Sequence, residues 1–320
     1  MSKSKHKAYG LNIVSDFQLT GMAAADFGHA DVVVLFGPVA ASLNAHRKGR
    51  VTKYRAWEAS EGHFLLELDN IAKYLVTGGN RILIEKCSGA TDQEVMAFFN
   101  GSALTALLQQ RGLLTLHASA VKTPQGAALF MGRSGAGKST LSSAMQQRGY
   151  AMLSDDASAI EFDGEANPII LPSFPTTRLW GDSMEKLGEQ KASNQKLRAE
   201  LDKYLVPADR FCEEPQPVSR IFCLNTHNRP TIEIQQLAAA DRFQTLSLYT
   251  FRKNFYTGQG LGQLYFESVM KLVNSIQVIK ISRPESPFLL DELVEVITEN
   301  LGLGRDKTVM ATTGAMRGQS

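Results

Sequence analysis

The sequence predicts an α/β protein in which a β-rich N-terminal region precedes a core built on a mixed sheet. Two observations carry this prediction. Residues 9–85 alternate short apolar runs with turn residues, a pattern typical of strands joined by tight turns. Beyond residue 112, strand-like and helix-like apolar segments alternate, and one such strand runs directly into a glycine-rich loop that a helix follows.

The composition indicates a globular protein without a strong overall charge. The chain has 320 residues, 43% of them hydrophobic, which suffices for one large domain or two modest ones. Its 34 Lys and Arg residues nearly balance 32 Asp and Glu residues, so we expect neither nucleic acid nor a membrane surface as its main partner. The three cysteines have no zinc or disulfide spacing, and no apolar run approaches the ~20 residues that span a bilayer. We therefore expect a cytoplasmic location.

In the N-terminal region, turn and capping residues set the predicted elements. A turn of two glycines and an asparagine at 78–80 leads into the second arm of a hairpin. Thr91 followed by Glu94 forms a capping box, and helical apolar spacing continues behind it to Gly112. We place a boundary there, which makes 1–112 a substrate-recognition or scaffold domain. The predicted strands are 32–36, 64–68, 71–76 and 81–85.

In the core, the apolar runs predict alternating strands and helices from 113 to 302. A charged, poorly amphipathic stretch at 182–203 is expected to be helical and partly exposed, and the tail at 303–320 to be flexible. The predicted strands are 113–121, 127–131, 151–153, 218–224, 231–237 and 276–281. The predicted helices are 138–148, 261–275 and 288–301.

The glycine-rich loop matches G-x-x-x-x-G-K-[ST] at residues 132–139 and lies between a strand and a helix, the context in which this motif binds nucleotide phosphates. Backbone N–H groups of such a loop face the phosphates, and the helix start adds a positive dipole end. Lys138 is expected at the β and γ phosphates of ATP, and the Ser139 hydroxyl on Mg²⁺. The predicted cofactor-binding residues are Gly132, Arg133, Ser134, Gly135, Ala136, Gly137, Lys138, Ser139 and Thr140.

Asp155 and Asp156 follow an apolar strand 17 residues after Lys138, a gap that fits one helix, one turn and one strand. Adjacent acids at a strand end are costly unless a cation or a proton shares them. In a phosphoryl-transfer site, one carboxylate can hold Mg²⁺ while the other accepts the proton of the attacking hydroxyl. The alternative is a solvated turn.

His117 lies in an apolar segment just before the glycine-loop strand. A histidine in this setting is either a hydrogen-bonded core residue or a partner for a catalytic carboxylate. Pairing of adjacent strands would bring it next to Asp155.

Three segments together resemble the catalytic core of the HPr kinase/phosphorylase family. They are Leu-His-Ala-Ser-Ala-Val at 116–121, the loop at 132–140, and Arg-Gly-Tyr-Ala-Met-Leu-Ser-Asp-Asp at 148–156. The resemblance is close over 113–165 and loose up to about 300. It implies a P-loop kinase core shared with ATP-dependent phosphoenolpyruvate carboxykinases, and a protein serine as acceptor.

The resemblance also implies residue roles. Asp155 would be the general base, His117 would assist it, and Asp156 and Ser139 would hold Mg²⁺. HPr kinases oligomerise, and the resemblance leaves open whether this chain also forms a homo-oligomer.

Residues 174–180, Phe-Pro-Thr-Thr-Arg-Leu-Trp, depart from the family and look like divergent HPr-kinase-related proteins, among them kinases encoded beside lasso peptides. The acceptor would then be a serine of a precursor peptide. We expect Arg178 to approach the transferring phosphate or the acceptor, or else to form a structural salt bridge. Two other functions remain open, a small-molecule kinase and a regulatory module that binds ATP without transferring its phosphate.

Overall fold

The computed structural model describes residues 3–43, 47–52, 55–190, 194–198 and 201–303, and its first part is a nine-stranded sheet. The strand order is β3-β1-β2-β4-β9-β8-β7-β6-β5, with β4 parallel to β2 and β9 and the other neighbours antiparallel. Every second residue of the eighth strand is buried, as a sheet with one covered face requires. The β-rich N-terminal region is thus confirmed. The strands are β1 (Ser4–Ala8), β2 (Leu11–Ser15), β3 (Ala23–Ala24), β4 (Val32–Phe36), β5 (Arg47–Thr52), β6 (Arg55–Ser60), β7 (His63–Leu68), β8 (Ala72–Thr77) and β9 (Arg81–Lys86).

A helical segment covers the buried face of this sheet. The predicted capping box is present, because the Thr91 hydroxyl accepts from the Glu94 N–H while the Glu94 carboxylate accepts from the Thr91 N–H. The Tyr74 hydroxyl donates to the Val95 carbonyl at 2.8 Å and ties sheet to helix. The segment consists of α1 (Asp92–Phe98), a π-helical turn (Phe99–Ala103) and α2 (Leu104–Gln110).

The core contains a second, mixed sheet, as predicted. Its path is β10-β14-β15-β19-β12-β11-β13, with β21 beside β19 and β20 beside β21. The strands β12, β19 and β21 are parallel to one another, and the other pairs are antiparallel. The strands are β10 (Leu114–Leu116), β11 (Ala118–Thr123), β12 (Gly126–Gly132), β13 (Met152–Ser154), β14 (Ser158–Phe162), β15 (Pro168–Leu171), β19 (Gln216–His227), β20 (Glu233–Gln236) and β21 (Val278–Pro284).

Helices cover both faces of this sheet, which explains why its central strands are apolar throughout. One face packs against α3 (Lys138–Gln147), α4 (Gly181–Leu187) and α8 (Leu290–Asn300). The other packs against α5 (Ala239–Leu248), α6 (Lys253–Gly258) and α7 (Gly262–Ser275). The helices predicted at 138–148, 261–275 and 288–301 are confirmed, whereas α5 and α6 were not predicted.

The helix predicted at 182–203 is wrong beyond Leu187. A small sheet of order β16-β18-β17 forms instead, from β16 (Thr176–Trp180), β17 (Gln195–Arg198) and β18 (Leu201–Pro207). Tyr204 and Val206 alternate with more exposed residues and pack into the core beside Leu179. This period-2 burial outweighs the helix propensity of the charged residues around it.

The single strand predicted at 113–121 is also wrong, because the chain breaks at His117. The first piece, β10, pairs with β14, and the second, β11, pairs with β12 and β13. At the break, the His117 N–H donates to the Tyr249 carbonyl at 2.7 Å. The strand partner of the backbone thus changes at His117. The His117 side chain consequently lies at the start of β11, beside the glycine-rich loop.

The two sheets contact each other through α6. Trp57 of β6 packs against Phe64 and against Phe255 of the helix, with ring centroids 6.0 and 5.8 Å away. Phe255 therefore belongs to the N-terminal hydrophobic core. The domain boundary at 112/113 stays a prediction, and so does the tail at 303–320, which from residue 304 lies outside the described residues.

We expect Gly258→Ala to destabilise the protein by about 1–3 kcal/mol through overpacking. A Cβ at this position would lie 2.4 Å from Cζ3 of Trp57, and the bulky ring is held by its neighbours. Urea unfolding measures the change, with Gly262→Ala as the matched control because a Cβ there meets nothing within 4 Å. Equal stability of both variants would contradict the packing of α6 on the first sheet.

None of the helices in the described part of the chain combines the length and the apolarity that crossing a bilayer takes.

Candidate active site

The glycine-rich loop joins the end of β12 to the start of α3, as the sequence predicted. Gly132 cannot be replaced without strain, because a Cβ would lie 2.7 Å from the Leu224 carbonyl oxygen of the neighbouring strand. Gly137 has a φ of 99° and caps α3 without any side-chain hydrogen bond. The N–H groups at this helix start are therefore available to an anion.

Lys138 folds back over the loop. Its Nζ donates to the carbonyl oxygens of Gly132 and Arg133 at 2.9 and 3.1 Å, and the residue is only 7% exposed. Burial lowers the pKa of this ammonium group, while the nearby Asp155 and Asp156 oppose the shift. The cation thus already lies at the phosphate loop, held by carbonyl groups that a phosphate can replace.

Asp155 is buried and accepts four hydrogen bonds from three different elements. Its Oδ1 accepts from the hydroxyls of Ser119 and Ser139 at 2.5 and 2.8 Å. Its Oδ2 accepts from the Thr177 hydroxyl at 3.0 Å and from the Arg178 backbone N–H at 2.8 Å. This carboxylate therefore joins β11, the start of α3 and β16 into one rigid unit.

Asp156 has a left-handed backbone with φ of 69°, which turns its carboxylate away from that of Asp155 and toward the cavity. Its Oδ2 accepts from Nη1 of Arg178 at 2.5 Å, and its Oδ1 lies 3.7 Å from Nδ1 of His117. Burial alone would raise the pKa of this carboxyl, but Arg178 and then His117 outweigh it and lower the pKa to about 2. Asp156 is therefore ionised at neutral pH.

His117 contacts Asp156 and not Asp155, which corrects the predicted pairing. Its Nδ1 lies 2.9 Å from the Asp156 carbonyl oxygen, and its ring stacks on Phe251 with centroids 5.4 Å apart. Burial lowers the pKa of the imidazole, and Lys138 lowers it further. The neutral ring with its proton on Nδ1 fits the bond to the carbonyl. The sequence could not show this partner because the left-handed turn at Asp156 has no local signature.

A polar cavity of about 570 Å³ lies over the loop and brings most of the predicted site residues together. It is lined by loop residues 133–140 and by His117, Asp156 and Arg178, while Asp155 lies beneath its floor. Sequence reasoning missed several lining residues, which come from distant segments and carry no motif. These are Trp180, Lys186, Lys203, Arg283 and Phe288.

The oxygen groups at the start of α3 fit a magnesium ion that phosphates also ligate. Among the described residues there is no cluster of three or more His, Cys, Asp or Glu side chains that could hold a metal alone. Mg²⁺ bound with a nucleotide needs only one or two protein oxygens besides phosphate and water. The Ser139 hydroxyl, which lines the cavity and donates to the Asp155 carboxylate at 2.8 Å, is such an oxygen. The predicted second ligand, Asp156, also lines the cavity, and the metal pair of Ser139 and Asp156 stays a prediction.

Fold and site together define a mixed α/β protein with a glycine-rich loop at a polar cavity. Neither a protein-family model nor a curated protein sequence matches the chain. Among solved structures it is similar to the HPr(Ser) kinase/phosphatase from Coxiella burnetii, at 15% identity and a TM-score of 0.30, over 59% of this chain and 96% of that one. This is a distant structural relationship, and function has to be inferred from the site itself.

Proposed function

We propose that this protein binds ATP with Mg²⁺ and transfers the γ-phosphoryl group to a serine hydroxyl of a protein or peptide. One observation carries the proposal: Lys138, Ser139 and Asp156 line the same cavity, at the start of a helix that no side chain caps. The resemblance of the three segments at 116–121, 132–140 and 148–156 supports a serine as the acceptor.

The loop and Lys138 bind the phosphates. When a triphosphate enters, Nζ of Lys138 releases the carbonyl oxygens of Gly132 and Arg133 and donates to phosphate oxygens instead. This exchange moves the ammonium group by only a few ångströms. Ser139, supported by Asp155, would hold the magnesium ion, which neutralises charge on the β and γ phosphates when bound.

We assign the proton-accepting role to Asp156 instead of Asp155. A carboxylate has about four lone-pair sites, and all four of Asp155 are directed at protein donors. Asp156 lines the cavity, and among the described residues its Oδ1 has no donor closer than Nδ1 of His117 at 3.7 Å. Its Oδ1 can therefore accept the hydroxyl proton of the acceptor.

A carboxyl with a pKa near 2 is a weak base until the nucleotide arrives. Burial raises the pKa of Asp156, and the cationic side chain of Arg178, helped by those of Lys203 and Lys138, outweighs burial and holds the pKa low. A bound triphosphate brings negative charge to these cations, so their effect on Asp156 weakens and its pKa rises toward a useful range. The acceptor oxygen then bonds to the γ-phosphorus as the bond to the ADP oxygen breaks, and the hydroxyl proton moves to Asp156.

An acceptor larger than a small molecule is favoured by the rim of the cavity near Arg178. Trp180 is 37% exposed there, and Nζ of Lys203 lies 5.6 Å from the centroid of its ring. An exposed aromatic ring beside a cation offers a peptide both an apolar and a charged contact.

Incubation with Mg²⁺, γ-labelled ATP and peptides from the same gene neighbourhood tests the proposal. We expect labelled phosphoserine with the wild type, and loss of both ATP binding and label in Lys138→Met because the phosphates lose their cation. Lys122→Met, on β11 away from the cavity, is the matched control. Label on sugars or organic acids alone would indicate a small-molecule kinase, and ATP binding without any transfer would indicate a regulatory module.

A further inference from the structure

The cavity has two ends, and the order of the strands shows which end is reactive. Asp156 follows β13 and His117 precedes β11, and both strands lie on one side of β12, which leads into the glycine-rich loop. Arg283 lies on β21 and Phe288 follows it, and β21 is two strands away from β12 on the other side. The wall formed by Arg283, Lys186 and Phe288 is thus the end remote from phosphoryl transfer.

Phe288 forms the centre of this remote wall. Its ring contacts the phosphate loop, because a Cβ on Gly137 would lie 3.2 Å from its Cζ. The guanidinium carbon of Arg283 lies 4.2 Å from the ring centroid, and Nζ of Lys186 lies 5.1 Å from it. The ring is nevertheless only half-buried and opens into the cavity.

Arg283 fixes this wall to the loop. It is 5% exposed, and its two terminal nitrogens donate to the carbonyls of Pro284 and Ala136 at 2.7 and 3.1 Å. The planar guanidinium and the phenyl ring are thereby held next to each other, one residue from the helix start that faces the phosphates. Lys186 is held less firmly, since its side chain is 48% exposed and it can turn toward a phosphate.

We propose that Phe288, backed by Arg283, is the platform on which the purine base of the nucleotide stacks. This inference rests on the proposed function. A triphosphate whose γ end lies at Lys138 and Asp156 directs its α-phosphate and nucleoside along the loop, away from those two residues. The remote wall is where a base then arrives, and a flat aromatic ring beside a cation is the surface that nucleobases stack on.

Affinities for ATP and for inorganic tripolyphosphate, measured by calorimetry with Mg²⁺ present, test the platform. Tripolyphosphate has the same phosphate chain without a base. Phe288→Leu keeps an apolar side chain over Gly137 but removes the ring, and we expect it to weaken ATP binding by about five- to hundredfold. Its affinity for tripolyphosphate is expected to stay within about twofold of wild type, and Phe288→Trp is expected to retain ATP binding.

The matched control is Phe266→Leu, which removes an exposed ring of α7 outside the cavity and is expected to change neither affinity. Equal loss of ATP and tripolyphosphate in Phe288→Leu would overturn the platform, because the ring would then only support the loop. Equal binding of the two ligands by the wild type would overturn it as well. Unchanged binding of both ligands by Lys138→Met would instead refute the proposed phosphate site.

Discussion

Asp156→Asn is expected to lower phosphoryl transfer by about 10²–10⁴-fold while ATP affinity changes little, because general base catalysis is typically worth that much. Asparagine suits the left-handed backbone at this position and its Oδ1 can still accept from Arg178. The substitution therefore removes the proton acceptor and leaves the local structure intact. Single-turnover rates and ATP titrations measure the two effects separately.

Asp155→Asn provides the informative comparison. In either orientation of the new side-chain amide, the NH₂ group would face another donor, because hydroxyl or N–H donors approach both carboxylate oxygens of Asp155. We expect a loss of about 1–3 kcal/mol in the free energy of unfolding, which Asp156→Asn does not share. Asp291→Asn, on the exposed face of α8, controls for loss of a surface carboxylate. If Asp155→Asn kept full stability but lost transfer, while Asp156→Asn transferred normally, Asp155 would be the general base.

The parts of the site that could be predicted from sequence are those that local rules govern. The loop, the helix starting at Lys138 and the acids at the end of a strand lie within 25 residues, so spacing alone placed them together. The capping box at Thr91 was found for the same reason. Each of these features depends on backbone hydrogen bonds between near neighbours in sequence.

The parts that could not be predicted depend on distant segments or on a single backbone angle. The pairing of His117 with Asp156 follows from a left-handed residue and from a strand break at which the His117 N–H donates to the distant Tyr249 carbonyl. Phe288 reaches the loop across about 150 residues of sequence. Apolar periodicity identifies strands but not the strands that lie beside them. Nothing in the sequence therefore indicated that β4 is parallel to β2 and β9.

Arg178→Ala is expected to reduce transfer by about 10³-fold or more, in the range that transition-state arginines contribute in phosphoryl transfer. The guanidinium donates to Oδ2 of Asp156 and lines the cavity. It can therefore neutralise negative charge on the transferring phosphoryl group without moving far. Arg178→Lys keeps a positive charge but loses the planar fork, and we expect it to recover only part of the rate. Rate constants at saturating ATP measure both effects.

The same ion pair also admits a purely structural role, and the two roles predict different outcomes. Arg178 is 11% exposed at its side chain, so leaving Asp156 unpaired costs stability in either case. Only a role in transfer makes the rate fall in Arg178→Lys, where Asp156 keeps a cationic partner and the unfolding free energy stays near wild type. A role in transfer also predicts that the rate losses of Asp156→Asn and Arg178→Ala are less than additive in the double variant, because the two side chains act as one unit. A normal rate in Arg178→Lys together with a destabilised Arg178→Ala would mean that the arginine serves the fold alone.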